Sequence, residues 1–593
     1  MSTQEHPLTR PSSSGPTMDG VEPAVVPARA PWSGLRVRWS RPQRVLPRDL
    51  SAYLAPALVL ALAALAAHWV FTRALGAPLW IDEGISIGIA KHSVTAIPGL
   101  LRQDGSPPVY YILLHFWMSA FGDSSRSTHS LSALFAVLSV PACAWAAWPF
   151  GQRAGVIAAA LAAFSPFVAE YADETRMYSL LFLLAALATG AFVRAFAVRR
   201  SRTWSAGFGV LTALLCLTHG WGLFFGASAG VAVLVALALG PERRALAIDT
   251  AIAGVVGAVL FVAWVPTLLF QAKHTGAPWS HRPGPTSLTR AGSRMLSGRT
   301  PEAILLVVGL GGWLATARRH AAERRDLVSL GLVVFIALGT LLLGYAASRY
   351  AQPAWALRYL AVPLAPAVIA ISGGLDRAGM AGVLAAAAVC LLFWAGKPSP
   401  TSLSHKSNVN EMAATLRSEV PNGTLVVSPQ PEQVPVIDYY LRRKLWYVTP
   451  LGVQRDHGVV NWIDALKRLR HSRLQSTLEA AVRGVRPGGR VLLVAPRFGS
   501  PDSPWTKGIA RKEHVWRRWL TRNPDFVVVG TYTPGRYGSR ATVAGLLLQR
   551  TVHPHRGAAR TRAAFQLAPR RLRSTLLGVF SGLARHPAHR SKA

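Results

Sequence analysis

Long apolar runs, separated by short polar stretches that carry arginine, organise the first two thirds of the chain. The first run, Ser51 to Phe71, supplies the roughly 20 residues that a bilayer crossing needs. Further runs lie near 127–148, 154–170, 177–197, 204–219, 222–240, 249–270, 301–317, 327–346, 357–375 and 379–395, which predicts about eleven spans. Pro107–Gly122 (PPVYYILLHFWMSAFG) is shorter and aromatic, and reads as an interfacial surface helix. After Trp394 the pattern changes. Helix-like EMAATLRSEV, VPVIDYYLRRKLWYV and WIDALKRLR alternate with strand-like TLVVSP, RVLLVAP, DFVVVGTY and TVAGLLLQR, the signature of a small α/β domain. The expected fold class is an α-helical polytopic membrane protein with a small C-terminal α/β domain. Its parts are an arm (1–48), a membrane domain (49–397), the α/β domain (398–550) and a basic tail (551–593). Arm and tail lack periodicity and read as disordered.

Composition agrees. Of 593 residues, 51% are hydrophobic and 15% charged, against about 25% charged in soluble proteins. The net charge of +37 invites a nucleic-acid partner, but its placement argues for a lipid bilayer and no nucleic acid. With the N-terminus inside, one set of alternate loops collects Arg153, then Arg194, Arg199, Arg200 and Arg202, then Arg243 and Arg244. The same set continues with Arg318, Arg319, Arg324 and Arg325, and ends with Arg377. The positive-inside rule then places Asp82, Glu83, Asp104, Glu170, Asp173 and Glu174 on the outer side, together with the α/β domain. No acid falls at a span centre, where ion-coupled transporters keep theirs. This points to chemistry at the outer surface of the plasma membrane. Cys143, Cys216 and Cys390 lie inside apolar runs and have no metal-ligand spacing.

Four clusters sit at the outer mouths. Trp80-Ile81-Asp82-Glu83 puts two carboxylates beside an interface, where a solvated loop start is the plain alternative to a metal-bound or paired site. Asp104-Gly105-Ser106-Pro107-Pro108-Val109-Tyr110-Tyr111 closes the same loop. In Glu170 to Tyr178 (EYADETRMY), Glu174 and Tyr178 share a face if the following helix has already begun there. Arg176 then faces a phosphate, or clamps a glutamate between helix ends. Arg358-Tyr359-Leu360-Ala361-Val362-Pro363 opens a late span, where a snorkelling arginine is the plain alternative.

Taken in order, these motifs resemble the GT-C superfamily of membrane glycosyltransferases. The likeness is to the bacterial branch related to protein O-mannosyltransferases and lipid A aminoarabinose transferase (glycosyltransferase family 39), over roughly residues 50–400. It implies inverting transfer of a sugar, mannose or another, from a polyprenyl-phosphate donor to a glycan, lipid or protein acceptor in the cell envelope. By the family pattern Asp82 is the base, and Glu83 orients it or joins it in binding a divalent ion, the one cofactor candidate. Glu174, Arg176, Tyr178, Arg358 and Tyr359 match the donor phosphate and sugar site, and Asp104, Tyr110 and His219 match substrate contacts. Relatives often carry His where this chain has Ser106 before the two prolines. The loop 271–300, with Lys273, His274, Trp279, His281 and Arg282, is a substrate lid or a plain connector. The rival function, a flippase or exporter of lipid-linked sugars, shares the spans but does not require an acidic pair beside two outer arginines.

Overall fold

The computed structural model describes residues 51–552 apart from 74, 199, 240–242, 320–323, 500 and 536–540. The expected arm, and the tail beyond residue 552, lie outside the described residues.

Every apolar run is helical. After α1 (Ser51–Arg73) the chain forms three short helices, α2 (Ile81–Ala90), α3 (Ile97–Asp104) and α4 (Val109–Phe121). Then come α5 (Ser125–Ala147), α6 (Gln152–Phe164), α7 (Pro166–Ala172), α8 (Tyr178–Phe192), α9 (Arg202–Cys216), α10 (Trp221–Leu239) and α11 (Arg243–Phe261). The helical part ends with α12 (Val265–His274), α13 (Thr286–Met295), α14 (Arg299–Arg319), α15 (Arg324–Ala346), α16 (Ala361–Arg377) and α17 (Met380–Ala395). Among the described residues, seven segments are long and apolar enough to cross a membrane, or eight if α6 and α7, bent by 53°, form one span. The bend follows Ser165, whose side chain caps α7, and Pro166 at its first position. The expected count of eleven therefore needs α9, α10 and α17 to cross as well, and α9 and α17, with 15 and 16 residues, fall short of the roughly 20 of a full span. Helix α4 has 13 residues and exposes Phe116 and Phe121, as expected of an interfacial helix. Apolar all round, α8 is buried at the centre, whereas α1 and α11 expose Leu60 and Val259, the surface a bilayer covers. The chain is a multi-pass membrane protein.

The α/β domain holds a six-stranded sheet of β1 (Leu425–Val427), β2 (Trp446–Thr449), β3 (Gly452–Gln454), β4 (Arg490–Arg497), β5 (Phe526–Tyr532) and β6 (Thr542–Arg550), in the order β3-β2-β1-β4-β6-β5. The central strands β2, β1 and β4 are parallel, with Val426 opposite Leu492, and the outer pairings are antiparallel. Alternation sorts the side chains between two cores. Val426, Leu492 and Leu547 face α19 (Val409–Leu416) and α20 (Val434–Leu441), which follow the short α18 (Pro400–Ser404). Leu425, Leu493 and Leu548 face Trp516 and Leu520 of α23 (Pro504–Arg522), which follows α21 (Ala465–His471) and α22 (Ala480–Arg483).

The two parts meet at α2. A Cβ on Gly84 would lie 2.7 Å from the Val436 backbone nitrogen, and one on Gly88 would lie 2.1 Å from the Gly458 carbonyl. Two glycines four apart thus give α2 a bare face on which the domain rests. Tyr440 adds a hydroxyl that accepts from the Leu79 amide at 2.6 Å.

Candidate active site

Asp82 and Glu83 open α2, where carboxylates favour the positive end of the helix dipole. Successive helical residues point in different directions, so the pair separates. Asp82 lines a cavity of about 420 Å³ together with Asp104, Ser106, Arg176, His219, Arg358 and Tyr359. Glu83 turns inward and is fully buried. Its carboxylate accepts from the Trp80 amide at 3.0 Å, the Thr175 amide at 2.8 Å and Lys406 Nζ at 3.3 and 3.4 Å, and pairs with His129 Nε2 at 2.6 Å. Burial opposes its charge, but Lys406 and His129 outweigh that and hold its pKa down to about 2. Lys406 also reaches Asp173, at 3.4 Å from Oδ2, and Asp173 lies 3.5 Å from His129 Nδ1. Burial pushes Asp173 up.

Arginines form the wall facing Asp82. Arg358 Nη2 lies 3.4 Å from Asp82 Oδ2, and its guanidinium sits 5.0 Å from the Trp279 ring centre and 5.7 Å from that of Trp80. Arg176 Nη1 donates to Ser86 Oγ at 3.0 Å, the Asp82 carbonyl at 3.3 Å and the Tyr111 hydroxyl at 3.4 Å. Burial works against the charge of Arg176, but Tyr111, Tyr178, Asp82 and Asp104 outweigh it and push its pKa well up. Burial raises Asp104. His219 packs on Tyr359 with ring centres 4.3 Å apart, and its Nδ1 accepts from the Trp221 amide at 3.1 Å. Burial first, then Arg176 and Arg358, push it down to about 3, so it stays neutral.

Six of the ten residues singled out from the sequence gather on this cavity: Asp82, Asp104, Arg176, His219, Arg358 and Tyr359. Tyr178 is buried beside it, its ring centre 5.9 Å from both the Arg176 and Arg358 guanidiniums. Tyr110 is buried between helices, its hydroxyl 3.4 Å from Ser132 Oγ. Glu174 does not share a helical face with Tyr178, because α8 begins only at Tyr178. The Arg176 amide donates to the Glu174 carbonyl at 2.6 Å and the Thr175 amide donates to Glu83, so Glu174 sits in a tight turn and is buried. The joint metal site expected at Asp82 and Glu83 does not fit this arrangement. Asp82 already faces a guanidinium, and both Glu83 oxygens are engaged inside the protein. Among the described residues no group of three His, Cys, Asp or Glu side chains is arranged to hold a metal.

Lys406 and His129 were not legible in the sequence, since they share no motif with Glu83. Trp462 was equally hidden: it comes from the α/β domain, lines the cavity, and anchors its amide on the Gln103 carbonyl at 2.9 Å. In the loop 271–300, Thr275, Gly276, Ala277 and Trp279 line the cavity. His281 meets Asp502 of the α/β domain at 3.1 Å, and Arg282 donates to the Arg349 carbonyl at 2.6 Å.

Residues 105–270 match the model of the dolichyl-phosphate-mannose-protein mannosyltransferase family. The fold is similar to that of ArnT from Cupriavidus metallidurans in the apo state, with a TM-score of 0.58 and 13% identity over 84% of this chain and 98% of that one. ArnT from the same organism bound to undecaprenyl phosphate gives a TM-score of 0.55 and 12% identity over 86% and 99%. A stretch of 73 residues, 12% of this chain, is 38% identical to Dormancy-associated protein homolog 1 of Arabidopsis thaliana; it spans 59% of that relative. The chain thus shares the fold of ArnT, a helical membrane part followed by a small C-terminal α/β domain, and its residues 105–270 resemble the mannosyltransferase family.

Proposed function

We propose that the protein transfers a sugar from a polyprenyl-phosphate donor to an acceptor hydroxyl on the outer face of the plasma membrane, with inversion. The observation that carries this reading is the pairing, on one cavity, of a partly exposed carboxylate, Asp82, with two guanidiniums, Arg176 and Arg358. Inverting transfer needs a base for the acceptor proton and fixed positive charge for the leaving phosphate. Asp82 takes the proton as the acceptor oxygen attacks the sugar C1. The C1–O bond to phosphate breaks, and Arg176 and Arg358 hold the departing phosphate oxygens with directed donors. Ile85, Leu223, Phe224 and Leu268 give the same cavity an apolar side suited to a prenyl chain. His219 is neutral and packed on Tyr359, and shapes the sugar pocket without carrying charge. No step needs a metal ion.

ArnT bound to undecaprenyl phosphate is a protein of the same fold, which supports a donor of that class here. The test is transfer of label from a radiolabelled undecaprenyl-phosphate sugar to envelope acceptors by the purified chain in lipid nanodiscs. Flipping of the donor between leaflets without transfer would favour the exporter reading.

A further inference from the structure

Helix α23 carries a feature that sugar transfer leaves unused. Lys507, Arg511, His514, Arg518 and Arg522 are all exposed, and they recur at steps of three or four residues. That spacing puts them on one face of the helix. At about 1.5 Å per residue the stripe is about 22 Å long. The opposite face, Trp505, Ile509, Trp516 and Leu520, is buried in the domain. Helix α23 has one acidic residue, Glu513, which is nearly buried and already paired with Arg517 at 2.8 Å.

Such a stripe works against the helix. Like charges four apart destabilise it by about 0.2–0.5 kcal/mol a pair, and cations in the first turns oppose its dipole. An anionic partner would relieve both. Concave surface flanks the stripe at each end. A cavity of about 600 Å³ is lined by Arg470, Lys507, Arg511 and Lys512, and one of about 640 Å³ by His514, Arg518 and Arg522. The near end adjoins the proposed active-site cavity: Trp505 packs on Trp462 with ring centres 5.2 Å apart, and Trp462 lines that cavity.

We infer that α23 is a docking track for a linear anionic glycan, bearing phosphate or carboxylate groups, whose end enters the cavity as the acceptor. This rests on the glycosyltransferase reading and narrows its acceptor class. A strand fits the observations better than a bilayer does. A helix that lies on a membrane turns its apolar face to the lipid, whereas the apolar face of α23 is spent inside the domain and the flanking surface is concave.

The test uses the full chain in phosphatidylcholine nanodiscs with dextran sulfate, neutral dextran and phosphatidylglycerol vesicles as probes. Wild type should bind dextran sulfate, lose it as salt rises, and ignore neutral dextran. The variant Lys507→Glu/Arg511→Glu/Arg518→Glu should bind dextran sulfate about tenfold more weakly or worse. Its binding of undecaprenyl phosphate should be unchanged, which reports an intact fold. Equal dextran sulfate binding by variant and wild type would overturn the track. Stripe-dependent capture of the vesicles, with dextran sulfate binding untouched by the substitutions, would also overturn it and assign the stripe to lipid. Sugar transfer is a separate readout: a chain that binds the polymer through the stripe yet transfers no sugar refutes the enzyme reading alone.

Discussion

Lys406 Nζ, from the first turn of chain that enters the α/β domain, lies 3.3 and 3.4 Å from the two carboxylate oxygens of Glu83, and both side chains are buried. The residue next to Glu83 is the proposed base. One ion pair therefore ties the position of Asp82 to the docking of a domain more than three hundred residues away. Lys406→Met leaves Glu83 and Asp173 buried with only His129 beside them, and removing one partner of such a pair costs about 3–5 kcal/mol. We expect a large fall in thermal stability in detergent. Glu83→Gln added to Lys406→Met should recover part of it, a coupling that a double-mutant cycle reads directly. Strict additivity of the two losses would refute the latch.

Acid should weaken the same latch. The Glu83 pKa is about 2 in the folded protein against an ordinary 4.5, so its contribution is complete above about 4.5 and is lost as pH falls towards 2. The difference in melting temperature between wild type and Glu83→Gln should shrink as pH is lowered from 6 to 3. A difference that stays constant would separate Glu83 from the stability of the junction.

Packing supplies a second hold on α2. Gly88→Ala puts a methyl group 2.1 Å from the Gly458 carbonyl, so one backbone must move. Overpacking of this kind costs about 1–3 kcal/mol. Since α2 carries Asp82, turnover should fall together with stability. Gly99→Ala on the neighbouring α3 meets open space and should leave both unchanged. Equal behaviour of the two alanine variants would show that the bare face of α2 has no role.

These contacts show why only part of the site was legible. Asp82, Arg176 and Arg358 stand in local patterns of acid, aromatic and arginine at the ends of apolar runs, and such patterns survive in one dimension. His129 sits inside an apolar run, where one histidine carries no periodic signal, and Lys406 is a single cation in a polar linker. Their meaning arises only when three distant segments converge on Glu83. The sheet was easier to read, because VLLV in β4 and VVV in β5 are short β-branched and aliphatic runs bounded by Gly, Pro and Asp. The number of spans was harder, since apolar character alone does not separate a full crossing from a helix of 15 residues such as α9.

Sidedness is open to direct measurement. The three native cysteines are buried, while Val453 in β3 is exposed. Val453→Cys should react with a membrane-impermeant maleimide on intact cells if the α/β domain faces outward. Labelling only after lysis would place the domain, and the cavity beside it, on the cytoplasmic side.

The two arginines should separate by chemistry. Arg358→Lys keeps the charge near Asp82 but loses the planar fork that matches phosphate. A charge-assisted hydrogen bond is worth about 1.5–3 kcal/mol, so donor KM should rise about 10- to 100-fold. Arg176→Ala removes, in addition, the bonds to Ser86 and the Asp82 carbonyl, so it should lower kcat as well as raise KM. Unchanged donor affinity and turnover in both variants would remove the pair from the phosphate site.

The sharpest expectation concerns Asp82 itself. Its carboxylate is partly exposed in the cavity, whereas Glu83 is sealed beneath it, so the two substitutions should fail in different ways. Asp82→Asn is nearly isosteric and leaves the Glu83 latch intact; the fold and donor binding should survive. Removing a general base costs about 10²–10⁴-fold, and turnover per folded molecule should drop by that factor. Glu83→Gln should instead lower stability, through the lost pairing with Lys406, and the molecules that remain folded should retain more activity than Asp82→Asn. A purely structural Asp82, held by Arg358 as a helix-end partner, predicts the opposite: a less stable protein with near-normal turnover. Measuring melting temperature and single-turnover rate on the same preparations decides between them, and near-wild-type turnover in Asp82→Asn would move the base elsewhere in the cavity, with Asp104 the next carboxylate on its wall.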